Sequence, residues 1–243
     1  MSSDMNNQMA LICGLSGSGK SASLRNIRNQ ARWYYFNAEA GKRLPFRNDF
    51  QSFRITDPYQ IQEGFDHATQ NPGDVDGIII DTMTFLMDMY ETQYVLTSTK
   101  TMQAWGDFAQ YFKQIMQQKV VEFDKPVLIL AHTREDLDEK AMEMRTAVPI
   151  KGALKNNGVE AYFSTVVATK KVQLKDLEPY ANGLLTITDE DEMLGYKHVF
   201  QTRLTKATVG ERIRSPMGLF TREQTYMDND AQLLLDHLHK FYA

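Results

Sequence analysis

The stretch Gly14-Leu15-Ser16-Gly17-Ser18-Gly19-Lys20-Ser21 decides how the rest of this sequence is read. Its fixed positions follow G-x-x-x-x-G-K-[ST], an apolar run at residues 9–13 precedes it, and residues 20–31 behind it have a helical pattern. Glycines allow the backbone to curl until successive N–H groups point at one phosphate. A helix beginning there adds its positive end. Lys20 is then placed to reach β- and γ-phosphate oxygens, and the Ser21 hydroxyl to ligate Mg2+. The expected nucleotide contacts are Gly14, Ser16, Gly17, Ser18, Gly19, Lys20, Ser21 and Ala22.

A second decisive element is Gly77-Ile78-Ile79-Ile80-Asp81, an apolar run ending in a carboxylate. Asp81 is expected to hold the same Mg2+ through water, and it also suits the cap of a helix starting at Thr82; the two roles are compatible. Short apolar, β-branched or aromatic runs recur at residues 10–13, 33–37, 53–56, 77–81, 126–131 and 162–169. Helical patterns at 20–31, 59–69 and 102–121 lie between them. Near-continuous apolar runs of this length suit strands buried on both faces, and the alternation predicts a doubly wound, mainly parallel α/β fold. In the last third, residues 183–188 and 196–204 read as antiparallel strands around an acidic turn at 189–192. Residues 228–242 read as a closing helix capped by Asp228 or Asn229, with Leu233, Leu234, Leu238 and Phe241 inward. One domain over residues 1–243 is expected, with the antiparallel extension and closing helix at about 183–243.

Composition narrows the class. A hydrophobic fraction of 42% and a charged fraction of 24% are those of an ordinary globular protein, and a net charge of −4 rules out a polycation. Nucleic-acid contact would need a local basic surface. The single cysteine, Cys13, excludes an intramolecular disulfide, and the five histidines have no metal-ligand spacing. No apolar stretch approaches the ~20 residues that span a bilayer, and residues 1–8 lack signal-peptide character, so a cytoplasmic protein is expected.

With these motifs in place, the chain resembles the RecA-like branch of P-loop ATPases, in particular the short, core-only ATPases encoded by phages. Tyr35-Phe36-Asn37-Ala38-Glu39 resembles the family's strand-plus-Glu, whose carboxylate activates the attacking water. Val127-Leu128-Ile129-Leu130-Ala131-His132 is similar to the strand ending in a γ-phosphate sensor, here His132. Lys151-Gly152-Ala153-Leu154-Lys155 and residues 161–169 resemble the end of the second DNA-binding loop and the strand after it. Val199-Phe200-Gln201-Thr202-Arg203-Leu204-Thr205-Lys206 resembles the strand whose cations reach a neighbour's ATP. The likeness covers residues 9–216. It implies ATP and Mg2+ as cofactors, catalytic roles for Lys20, Glu39, Asp81 and His132, and Arg203 and Lys206 acting in trans, with Arg212 and Arg214 as alternatives. It also implies a homo-oligomer, either a ring or a filament, located in the host cytoplasm if the gene is a phage's.

Residues 133–158 are long for an ordered loop, begin acidic and end basic. A solvated loop of balanced charge fits the residues alone; with the resemblance, Arg145, Lys151, Lys155 and Asn156 become candidate contacts to single-stranded DNA. The leading expectation is an ATP-dependent single-strand-binding recombination ATPase, for which a single-strand DNA-binding protein is a further candidate partner. The alternative is a replication or packaging accessory whose ATPase is a protein-binding switch. A small-molecule kinase fits poorly, because no arginine cluster follows Asp81.

Overall fold

The computed structural model describes residues 6–139, 142–155 and 158–243. Its strands are β1 (Met9–Gly14), β2 (Trp33–Asn37), β3 (Gln51–Arg54), β4 (Gly77–Asp81), β5 (Val127–His132), β6 (Arg134–Asp138), β7 (Glu143–Ala147), β8 (Thr165–Gln173), β9 (Tyr196–Gln201) and β10 (Tyr226–Asp228). Its helices are α1 (Gln60–Gln70), α2 (Met83–Tyr90), α3 (Thr101–Gln114), α4 (Val120–Phe123), α5 (Leu174–Leu177), α6 (Asp189–Leu194) and α7 (Ala231–Tyr242). Eight strands form one sheet in the order β10-β9-β8-β1-β5-β4-β2-β3, and β6 and β7 form a separate pair. Neighbours from β8 to β3 run parallel, whereas β9 is antiparallel to both β8 and β10. The expected α/β architecture is therefore present, with its antiparallel margin.

Side chains of the central strands alternate between two cores, which is why these strands read as unbroken apolar runs. Leu11, Ile78, Ile80 and Ile129 face the core beneath α1 to α4, while Ile12, Ile79, Leu128 and Leu130 face the core beneath α7. Gly64 in α1 admits the Phe36 ring, since a Cβ there would stand 2.3 Å from its Cζ. Cys13 is buried, with its Sγ 3.5 Å from the Val167 carbonyl, and burial pushes its thiol up to about 12.

Four local expectations are corrected. The helix expected at 20–31 is a 3-10 segment, Ser21–Asn26, followed by another at Gln30–Arg32. Ser23 Oγ donates to the Lys20 carbonyl, its N–H is shared between the Gly19 and Lys20 carbonyls, and Asn29 takes a left-handed φ of 53°. Short polar side chains here compete with α-helical bonding. The acidic turn at 189–192 is the start of helix α6, closed by a capping box in which Thr188 and Asp191 satisfy each other's backbone. Residues 183–188 accordingly form no strand. Helix α7 is capped by Asp230, which accepts from Gln232 N and Leu233 N, and Phe241 is exposed. The long segment from Thr133 carries the β6–β7 hairpin, while Val159–Tyr162 is 3-10 and its strand begins only at Thr165.

Candidate nucleotide-binding site

Sheet order brings the site together. β5 lies between β1 and β4, so His132 at the end of β5 falls between the loop after β1 and Asp81 at the end of β4. β2 lies on the far side of β4 and delivers Glu39 just beyond its end. One cavity of about 360 Å³ is lined by Ser16, Gly17, Gly19 to Ala22, Tyr35, Glu39, Lys42 to Pro45, Asp81, His132 and His198. The residues expected from scattered parts of the sequence thus share one wall.

Gly17 and Gly19 take φ of 74° and 108°, which curls the loop as glycine permits. A Cβ at Gly19 would stand 2.8 Å from Asn229 Nδ2, so backbone and side chain meet closely there. Lys20 is 5% exposed; its Nζ donates to the Gly14 and Leu15 carbonyls at 3.0 and 2.9 Å and lies 3.2 Å from His132 Nδ1. Burial lowers its pKa, countered by the Asp81 and Glu39 carboxylates. A phosphate would supply the charged partner that the carbonyls do not.

Ser21 Oγ and Tyr35 OH both donate to Asp81 Oδ2, at 2.9 and 2.8 Å. Asp81 is 2% exposed and its Oδ1 is buried without a hydrogen-bond partner. Burial pushes this carboxyl above the usual carboxylate range, against the pull of the Tyr35 hydroxyl. A hydroxyl against a carboxylate with one orphaned oxygen is the donor set a hard cation requires, and Mg2+ fits it. Glu39 Oε1 meets His132 Nε2 at 3.1 Å, and its Oε2 meets Lys42 Nζ at 3.1 Å. Burial raises Glu39's pKa, but the bonds from His132 and Lys42 outweigh it and hold the carboxylate below its ordinary value.

Four supporting contacts carry no sequence signal. Tyr35, within the strand read at 33–37, donates its hydroxyl to Asp81. His198 Nδ1 lies 2.8 Å from the Ser18 carbonyl, and Asn229 donates to the Gly19 carbonyl at 2.9 Å. Both come from the antiparallel margin, 180 and 210 residues further along the chain. Thr169 on β8 bonds the Ser18 hydroxyl from the other side.

The remaining candidates lie elsewhere. Arg203 donates to the Phe220 carbonyl at 2.8 Å and Lys206 is exposed; neither lines this cavity of its own chain. Arg212 and Arg214 point to Glu160, at its Oε2 and its carbonyl. Lys151 is paired with Glu91 at 2.7 Å, Arg145 stands opposite Asp136 in the hairpin register, and Lys155 is exposed. Asn156 lies outside the described residues. Among those residues, no helix is long and apolar enough to cross a membrane.

Fold and site together define a P-loop NTPase. The family model of the AAA domain matches residues 6–210, and the chain belongs to that family of P-loop ATPases. No curated protein matches the chain.

Proposed function

We propose that this chain hydrolyses ATP with Mg2+ and uses the cycle to bind and release single-stranded DNA as a recombination ATPase acting as a homo-oligomer. The observation that carries the hydrolytic part is the convergence of Lys20, Ser21, Asp81, Glu39 and His132 on one cavity. Lys20 binds and orients the β- and γ-phosphates. Ser21 and Asp81 would hold Mg2+, which when bound would supply neutralisation of the charge that develops on the phosphates. Glu39 takes the proton of the attacking water, and His132 and Lys42 fix its carboxylate.

A route to the binding surface starts at His132. Only Thr133 separates β5 from β6, and its N–H donates to the Gly14 carbonyl at 3.1 Å. A γ-phosphate that draws Lys20 away from Gly14 and His132 therefore acts at the root of the hairpin. The RecA-like resemblance supports DNA as the partner and Arg203 or Lys206 as a trans-acting cation.

One observation favours a second reading, an accessory ATPase that switches a protein partner. Residues 134–147 hold five acids against three bases, and Leu137 faces Met144 across the hairpin with both more than half exposed. An acidic, partly apolar hairpin suits protein contact better than phosphate contact. Steady-state hydrolysis without nucleic acid, with single strands and with duplex separates the two. Stimulation by single strands supports recombination, while indifference to DNA moves the switch reading to first place.

A further inference from the structure

We infer that the connection between β2 and β3 forms a basic ledge that binds the backbone of single-stranded nucleic acid. This rests on the proposed reading of the chain as a single-strand-binding ATPase, and it relocates the main phosphate contacts away from residues 133–158. Residues 40–54 carry Lys42, Arg43, Arg47 and Arg54 against Asp49 alone, in a chain whose net charge is −4. Nothing in the motifs of the sequence marks this stretch.

The fold brings Arg54 beside the turn that carries Lys42 and Arg43, and Arg47 follows on the same exposed connection. Ala40 and Gly41 take positive φ, 52° and 79°, and turn the chain back beside β3. The Arg54 side chain lies across Gly41, its Cδ 3.6 Å from where a Cβ would stand. Leu44 and Phe46 pack against the core beneath α7, and Phe50 is buried there against Tyr35. Those apolar anchors leave Lys42, Arg43 and Arg47 in solvent. Lys42 is the inner end, bonded to Glu39 while its side chain is 68% exposed. Arg43 lines the nucleotide cavity, and Arg47 and Arg54 lie outside its lining.

Elsewhere in the described residues, several cations are already committed to acids: Lys151 to Glu91, Lys170 to Glu211, Lys197 to Asp191. Among those residues, Arg43, Arg47 and Arg54 have no such ion pair. β3 is the sheet's edge and all four of its residues are exposed, with Arg54 on the face opposite Phe53, whose ring packs against Tyr34 and Phe36. A group of exposed cations without acid partners is the chemistry that tracks a phosphate backbone.

The test is fluorescence anisotropy of labelled oligo(dT) across a salt series, with the full chain and the double variant Arg47→Glu/Arg54→Glu. The charge-neutral pair Arg47→Gln/Arg54→Gln is carried alongside, and binding of a fluorescent ATP analogue serves as the control for folding. The ledge predicts about tenfold or more loss of affinity, a salt slope smaller by about 1.4 in the neutral variant, and unchanged nucleotide binding. Oligo(dT) binding unchanged in both variants but lost in Lys155→Glu would overturn the ledge and leave the single-strand reading standing. Tighter binding of duplex than of single strands would also overturn it. A wild-type chain that binds no oligo(dT) at any salt sinks the ledge and the proposed function together.

Discussion

Replacing Asp81 by asparagine is expected to stabilise the nucleotide-free protein while removing its activity. Asp81 is 2% exposed, its Oδ2 is satisfied by Ser21 and Tyr35, and its Oδ1 has no partner. A buried group left unsatisfied costs about 1–3 kcal/mol. Asparagine keeps the shape and an acceptor for both hydroxyls but removes the charge. Its amide N–H2 inherits the unpartnered position, so the gain comes from exchanging an unsatisfied buried charge for an unsatisfied neutral group, at about 1–2 kcal/mol. For a chain of this size, each kcal/mol moves the melting temperature by about 2–4 °C, which gives a rise of roughly 2–8 °C. The pH dependence follows from burial, which raises the carboxyl. A raised carboxyl contributes stability that is present at acid pH and lost as pH rises through its folded value. The advantage of the Asp81→Asn variant over wild type therefore vanishes near pH 4, about the ordinary carboxylate value, and grows above it. The assay is thermal unfolding at several pH values with and without Mg-ATP. An Asp81→Asn protein that melts at or below wild type at neutral pH, or that Mg-ATP stabilises as strongly, would refute the reasoning.

Other perturbations have equally definite outcomes. Glu39→Gln is expected to lower hydrolysis by about 10²- to 10⁴-fold with ATP affinity nearly unchanged, because only the proton acceptor is lost; single-turnover hydrolysis beside equilibrium binding checks this. Tyr35→Phe takes a donor from the Asp81 carboxylate, so the pH at which Mg2+ binding is half lost should rise, as a pH titration of Mg2+-dependent nucleotide affinity would show. Gly64→Ala should lower stability by about 1–3 kcal/mol despite alanine's better helix propensity, since its Cβ meets the Phe36 ring; thermal melts decide it.

The sheet and its phosphate loop were legible in the sequence because both rest on local signals. Strands buried on both faces give unbroken apolar runs, and the predicted limits of β2 and β4 coincide with the structure at 33–37 and 77–81. The loop after β1 was legible because glycine spacing and the Lys-Ser pair are fixed by phosphate chemistry. What failed was local competition between bonding patterns. Ser23, whose hydroxyl bonds the Lys20 carbonyl, and the left-handed Asn29 accompany the 3-10 turns found in place of the helix expected at 20–31, and Thr188 with Asp191 makes a capped helix where charge alone suggested a turn. The contacts of Tyr35, His198 and Asn229 were not legible, because they depend on which strands become neighbours. Sheet order is set by long-range packing, and no residue pattern announces it.

The most direct test of the central claim is steady-state ATP hydrolysis with Mg2+ by wild type and by Lys20→Ala, each with and without single-stranded DNA. The account predicts Mg2+-dependent turnover by wild type that single strands stimulate, and none by the variant in either condition. Equal turnover by the two proteins, or turnover indifferent to Mg2+, would contradict a site built on Lys20, Ser21 and Asp81.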